Sequence, residues 1–219
     1  MNISHHPDDA TIMAYAAGAL TEGFSLVLAA HLESCPHCQQ RVQKAQELGG
    51  EMLIQLQPSE APAGGLDDVW SRIESSPTIE EPIKPIKQKP NGSLPAVLEQ
   101  FFDSGLNSVP WRKVAPGISR YRLDTVDSEN GTVQLLSIDP GVTIPEHTHK
   151  GSELTLILKG SYQDETGRYQ GGDLADLDSS VQHQPKVDSS EPCICLIATD
   201  QPLHFSSLAS RILQPFIGI

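Results

Sequence analysis

Two histidines and a glutamate lie close together within residues 141–160 and could ligate a metal ion. His147 and His149 are two residues apart, and alternate residues of a β-strand project from the same face. Glu153 follows four residues later, after residues 150–152, whose composition is typical of a turn. The three side chains therefore predict a metal site beside a turn between two strands.

A second group of metal-binding residue types consists of His31, Cys35 and Cys38. The spacing places His31 at the end of one helix and Cys38 in the first turn of the next, so one nitrogen and two sulfurs lie on one side of a helix–turn–helix corner. Cys35 lies near a helix N-terminus, which favours the thiolate that zinc requires. A zinc site is favoured over two buried cysteines with an incidental histidine.

The fourth ligand of a tetrahedral zinc site is not decided by the residue types. His5 and His6 lie just before the first predicted helix, and either could supply it. His37 lies between the two cysteines and is expected to point away.

The first group resembles the first motif of the cupin family, G-x5-H-x-H-x3-E-x6-G. The motif positions are held by Gly141, His147, His149, Glu153 and Gly160. This resemblance implies a small β-barrel with a metal centre of three histidines and one glutamate.

The third histidine of that centre comes from the second cupin motif, G-x5-P-x-G-x2-H. Gly172 and His183 have the required separation, which assigns His183 to the metal site. Asp178 and Ser180 stand where the family has Pro and Gly, a departure that affects a turn and not a ligand.

The N-terminal third resembles the zinc-containing anti-sigma domain, whose signature is an upstream His followed by H-x3-C-x2-C. The matching residues are His6, His31, Cys35 and Cys38. Because a cupin follows, nearly the whole chain is similar to the ChrR subfamily of anti-sigma factors. The resemblance implies Zn²⁺ in the N-terminal site, with His6 as its fourth ligand.

Composition sets the broad class of protein. The 219 residues suit one or two domains. The formal charge of −13 leaves no basic surface for phosphates, so direct nucleic-acid binding is disfavoured. No apolar run approaches the roughly 20 residues that cross a bilayer, and no secretory signal is present, so a cytoplasmic location is expected.

The fold class expected is multidomain α + β. Residues 1–75 are predicted to form a helical zinc-binding bundle, whose last helix, 66–74, presents Trp70 either to a partner or to the other helices. Residues 76–93 contain four prolines and are predicted to be a linker. Residues 94–219 are predicted to form a cupin β-barrel of the jelly-roll type.

Cys193 and Cys195 are two apart on the last predicted strand and share a face. Neighbours at this spacing are about 6–7 Å apart, which suits a disulfide poorly. Buried strand cysteines are the favoured interpretation, and a thiol that reports oxidants near the metal is the alternative.

The ChrR resemblance implies a regulator and not an enzyme. It would bind an ECF-type sigma factor, block its access to core RNA polymerase, and release it under oxidative stress, such as singlet oxygen or organic peroxide, sensed by the barrel. The alternative is a cupin dioxygenase or isomerase, since its ligand set leaves metal positions open. A metal-binding scaffold is a third hypothesis.

The barrel ligand set suits Zn, Mn, Fe or Ni without choosing among them. The cupin resemblance also makes a homodimer through the barrel a candidate assembly.

Overall fold

The computed structural model describes residues 3–60, 64–77, 94–102, 105–124 and 131–201, and the backbone of 203–205. Its helices are α1 (Asp9–Ala16), α2 (Glu22–Leu32), α3 (Pro36–Ile54), α4 (Gly65–Ser75) and α5 (Ala96–Glu99), with a 3-10 turn at Gly105–Ser108. Most of the predicted linker, residues 78–93, lies outside the described residues.

The helix starts follow from local chemistry. The carboxylate of Asp8 accepts a hydrogen bond from the Thr11 amide at 2.6 Å and so caps α1. Pro36 occupies the first turn of α3, where its missing N–H is not needed.

Twelve strands follow the helices. They are β1 (Arg112–Ala115), β2 (Ile118–Leu123), β3 (Thr132–Ile138), β4 (His147–His149), β5 (Glu153–Lys159), β6 (Ser161–Gln163), β7 (Arg168–Gln170), β8 (Leu174–Leu177), β9 (Gln182–His183), β10 (Lys186–Val187), β11 (Cys193–Thr199) and β12 (Leu203–Phe205). Between β5 and β6, Gly160 turns the chain at a φ of 72°.

The strands form one large and two small antiparallel sheets. The six-stranded sheet has the order β1-β2-β3-β11-β5-β8, and the small sheets have the orders β10-β6-β7 and β12-β4-β9. The pairing of β4 with β9 places His147 opposite His183. Residues 36 positions apart in the two cupin-like motifs are thus brought to one end of the barrel by strand register.

The six-stranded sheet is buried on both faces. Its inner face, with Leu136, Ile138 and Ile197, packs into the barrel core. Its outer face, with Leu135 and Leu196, packs against the helices. This explains why β5 and β11 are almost continuously apolar, since a strand with one solvated face would alternate.

Helix α2 covers the outer face. Val27 and Leu28 are fully buried there in one hydrophobic cluster with residues of β3, β5, β8 and β11. The helical region and the barrel therefore share a hydrophobic core, a contact that the sequence analysis did not foresee.

Helix α4 stands apart from this core. Within the described part of the chain none of its residues is buried, and Trp70 is 55% exposed. The expectation that Trp70 simply packs on the other helices is therefore wrong. Among the described helices none is both long and apolar enough to cross a membrane.

Gly23 tests the contact between α2 and the sheet. A Cβ atom at Gly23 would lie 2.5 Å from Cγ2 of Val133, so a larger residue must push the helix away. We expect Gly23→Leu to lower the free energy of unfolding by about 1–3 kcal/mol in urea titrations.

Gly49→Ala is the matched control, because nothing lies within 4 Å of a Cβ atom at this exposed position of α3. It should raise the free energy of unfolding by about 0.5–1 kcal/mol through helix propensity. Wild-type stability in Gly23→Leu would contradict the close packing.

Candidate metal centres

Three imidazoles converge inside the barrel. Nε2 of His183 lies 2.9 Å from Nε2 of His147 and 3.2 Å from Nε2 of His149. All three histidines are buried, and their ligand atoms lie within 4.8 Å of one another. Two nitrogens held about 2.0–2.1 Å from one metal ion at angles of 90–110° would be about 2.9–3.4 Å apart, which is the spacing seen.

The opposite ring nitrogens fix the tautomers of two of these histidines. Nδ1 of His147 donates to the Pro145 carbonyl at 2.9 Å, and Nδ1 of His183 donates to Oδ2 of Asp164 at 2.8 Å. With Nδ1 protonated, both Nε2 atoms present lone pairs to the centre. Lone pairs that face each other in a buried site repel unless a cation lies between them, so the arrangement fits a metal ion.

Glu153 stands beside the three histidines. Its Oε2 lies 3.4 Å from Nδ1 of His149, and Oε1 accepts a hydrogen bond from the Thr155 hydroxyl at 2.9 Å. Burial raises the pKa of the Glu153 carboxyl, so its charged form needs a compensating cation. Its oxygens are not part of the close group formed by the histidines, and its role as fourth ligand remains a prediction.

Asp164 is a site residue that sequence reasoning missed. Besides His183, its carboxylate accepts the amides of Thr166 at 2.8 Å and Gly167 at 3.1 Å. Despite its burial, these hydrogen bonds lower its pKa and keep it ionised. A carboxylate that orients a ligating histidine is a common outer-shell partner. The turn-forming pattern Asp164-x-Thr166-Gly167 was the available signal.

An apolar pocket adjoins the histidines on the inner face of the sheet. Leu136, Ile138, Ile197 and Cys195 line it together with His147 and His183. Cys195 and Cys193 are both buried, and their sulfurs are 3.6 Å apart without a disulfide bond. The prediction of buried strand cysteines is confirmed, and one of the two also faces the metal site.

The second group forms where the N-terminal segment meets α2 and α3. Nδ1 of His6 lies 3.4 Å from the sulfurs of both Cys35 and Cys38, and Nε2 of His31 lies 3.3 Å from that of Cys38. Nitrogen and sulfur ligands around one tetrahedral zinc ion would be about 3.5 Å apart. Two sulfurs and two imidazole nitrogens are the donor set of structural zinc sites.

The protonation states of this group agree with that chemistry. Burial lowers the pKa of His31 to about 4, so its imidazole is neutral, as a metal ligand must be. Burial raises the pKa of Cys38 to about 12, so a bound cation must displace the thiol proton. The Cys38 amide donates to the sulfur of Cys35, which is the N-cap of α3.

The structure distinguishes the N-terminal histidines. His6 points into the Cys/His group, whereas His5 packs its ring against Tyr169 of the barrel, with centroids 4.1 Å apart. His37 is exposed and lies outside the close group. All four residues assigned from the family signature are thus brought together.

Comparison with known proteins shows what the chain as a whole is similar to. A family model described as the ChrR cupin-like domain matches residues 104–202. The chain is 36% identical to anti-sigma-E factor ChrR of Cereibacter sphaeroides over 219 residues, all of both chains.

Solved structures agree with the fold class. In the crystal structure of Rhodobacter sphaeroides SigE with the anti-sigma ChrR, a chain 34% identical in sequence superposes with a TM-score of 0.75, covering 91% of this chain and all of that one. An RmlC-like cupin of Ralstonia eutropha aligns with 51% of this chain and 78% of its own at a TM-score of 0.42 and 20% identity. The family model and the ChrR structure confirm the expected helical region and cupin domain.

Two metal ions per chain are the expected content of the purified protein after dialysis. Cys38→Ala should lose the ion of the N-terminal group, and His149→Ala should lose that of the barrel, because each removes a buried ligand. Elemental analysis measures both. Gln46→Ala, which changes an exposed residue of α3, should keep two ions, and one ion or none in the wild type would contradict the geometry.

The stability of the metal-free chain should fall as pH drops from 6.5 toward 4. Burial holds the pKa values of His31, His147 and His149 near 4, against 6.5 in the unfolded chain. In that window the unfolded chain binds protons that the folded chain does not, so acid favours unfolding.

Thermal unfolding against pH tests this dependence. His147→Gln should weaken it, and Gln46→Ala, at an exposed position of α3, should leave it unchanged. A melting temperature constant across the window would show that the buried imidazoles do not titrate in this way.

Proposed function

Because this chain belongs to the ChrR family of anti-sigma factors, we propose that it binds an ECF-type sigma factor in the cytoplasm and blocks its access to core RNA polymerase. The family relationship confirms the expectation of a regulator and not an enzyme. The superposed ChrR chain is likewise in complex with a sigma factor, SigE.

The unburied apolar stripe of α4 carries the proposal. Leu66, Val69, Trp70 and Ile73 recur at helical spacing and are all about half exposed or more. An isolated helix of 11 residues is marginal in water, so α4 needs a partner surface to cover this stripe. A tryptophan at its centre is the residue type that most often dominates a protein interface.

The C-terminal half of α3 carries a second set of exposed apolar residues. Leu48, Met52, Leu53 and Ile54 are each more than half exposed. Contiguous exposed apolar residues mark protein-binding sites, and they are bordered here by acidic Glu47 and Glu51. A sigma factor binds promoter DNA and so carries basic surface, which suits this acidic border.

The N-terminal metal centre would hold the binding surface in shape. His31 ends α2, Cys38 begins α3, and His6 precedes α1, so one ion ties the three helices together. The Cys₂His₂ donor set supports Zn²⁺ as that ion. Its contribution is structural, because four protein ligands leave no open position.

The barrel would act as the sensor of oxidative stress, such as singlet oxygen or organic peroxide. The imidazoles of His147 and His183 line one apolar pocket together with Cys195, and a cysteine sulfur can be oxidised. A divalent transition metal bound by the barrel histidines, zinc or a redox-active ion, would place the reaction with the oxidant beside that pocket. Release of the sigma factor would require the oxidised barrel to alter its contacts with the helices.

Binding to a purified ECF sigma factor tests the proposal. Trp70→Ala should weaken binding about 30-fold or more, because it removes the central anchor of the stripe. Ser71→Ala, on the opposite side of α4, should change it less than twofold. Cys38→Ala should also abolish tight binding by removing the zinc-held corner.

Biolayer interferometry with the metal-loaded full chain gives the affinities. Equal affinity of wild type, Trp70→Ala and Cys38→Ala would contradict the proposed binding surface.

A further inference from the structure

The segment that leads into His6 lies along the barrel. Strand β8 is the edge of the six-stranded sheet, and its first amide, from Leu174, donates to the His5 carbonyl at 3.2 Å. The Asp8 amide donates to Oδ2 of Asp176 at 3.0 Å, further along the same strand. The N-terminal segment thus pairs with an edge that would otherwise offer unpaired backbone groups.

Asp173 clamps this segment. Its fully buried carboxylate accepts the Ser4 amide at 2.7 Å and the His5 amide at 3.0 Å through Oδ1. Its Oδ2 accepts the Gln170 amide at 2.9 Å, which fixes the carboxylate in the barrel. Because His6 is the next residue, Asp173 determines the direction from which this imidazole enters the N-terminal centre.

His31, a second residue of that centre, is also oriented by the barrel. Its Nδ1 donates to the Gly172 carbonyl at 3.0 Å, and both residues are buried. This hydrogen bond leaves the lone pair of Nε2 directed at Cys38, 3.3 Å away. Part of the outer shell of the N-terminal centre therefore comes from the barrel, a different part of the fold than its four ligands.

The same part of the barrel connects to the other centre. Asp164 accepts from Nδ1 of His183 and from the amides of Thr166 and Gly167. The hydroxyls of Thr166 and Tyr169 are 3.0 Å apart. The turn between β6 and β7 thus links a barrel ligand to the Tyr169 side chain.

Tyr169 connects the turn between β6 and β7 to His5. Its ring packs on that of His5 with 4.1 Å between centroids, and a Cβ atom at Gly167 would lie 3.2 Å from Nε2 of His5. A contiguous set of contacts therefore runs from His183, through the turn and His5, to His6.

We propose that the two metal centres are thermodynamically coupled through this contact, with Asp173 and Tyr169 as positioning residues. Metal in the barrel fixes His183 and Asp164, and so steadies the turn that holds His5 in place beside His6. Binding at one centre then strengthens binding at the other by the same factor. The inference rests on both groups binding metal, as in the proposed function, and not on sigma-factor binding.

Cobalt titration of the metal-free full chain tests the coupling. Co²⁺ bound to the thiolates of Cys35 and Cys38 gives a charge-transfer absorption that a site of histidines lacks, so the signal reports the N-terminal centre alone. We expect His147→Ala, which removes a barrel ligand, to weaken cobalt binding at the N-terminal centre about tenfold.

A double-mutant cycle assigns the path. Tyr169→Leu should also weaken the N-terminal centre about tenfold, and its combination with His147→Ala should be no weaker than either variant alone. Tyr169→Phe, which keeps the ring contact with His5, should restore most of the affinity. Asp173→Asn should weaken the centre, whereas Asp178→Asn, an exposed carboxylate held only by Ser180, should not.

Each outcome decides the inference. Unchanged cobalt affinity in His147→Ala would overturn the coupling. Additive losses in the cycle would overturn the proposed path, since a merely structural role for Tyr169 gives additive losses. A non-additive cycle in a chain that binds no sigma factor would leave the coupling standing and reject the proposed function. Sigma-factor binding together with additive losses would leave the proposed function standing and reject the path through Tyr169.

Discussion

The packing of α2 on the outer face of the six-stranded sheet is the contact on which the rest of the structure depends. It buries Val27 and Leu28 against the barrel and brings His31, at the end of the same helix, against the Gly172 carbonyl. Interiors are close-packed, so a shift of this helix cannot be absorbed by its neighbours without cost. The helix therefore relates the geometry of the N-terminal metal group to that of the sheet beneath it.

Both metal groups follow from one rule of buried electrostatics. Imidazoles and thiols taken out of water lose their charged forms, so burial lowers the pKa of His31 and His147 and raises that of Cys38. Neutral groups whose lone pairs converge are stable together only around a cation. In the proposed regulator the two groups have different roles. The Cys₂His₂ group would form a closed structural site, and the histidine group beside an apolar pocket would leave metal positions for other ligands.

The sequence predicted more of the ligands than of their surroundings. Fixed spacing within a strand or a helical corner determined His147, His149, Cys35 and Cys38, because local geometry alone brings such residues together. Asp164 and the clamp of Asp173 on the N-terminal segment depend on contacts between residues far apart in the chain, which no local pattern encodes. The apolar runs of β5 and β11 agree with a sheet covered on both faces, but the sequence analysis drew no such inference from them. The proline-rich segment instead suggested two parts joined only by a tether.

Hydrogen exchange on the full chain, with metal in both centres and then with the barrel ligand His147 replaced by alanine, tests the central claim most directly. If α2 and residues 4–8 are held by the barrel as described, their amides should exchange faster once the barrel site is lost, although none of them belongs to that site. Faster exchange confined to β4, β5 and β9, with α2 and the N-terminal segment as protected as before, would contradict the account.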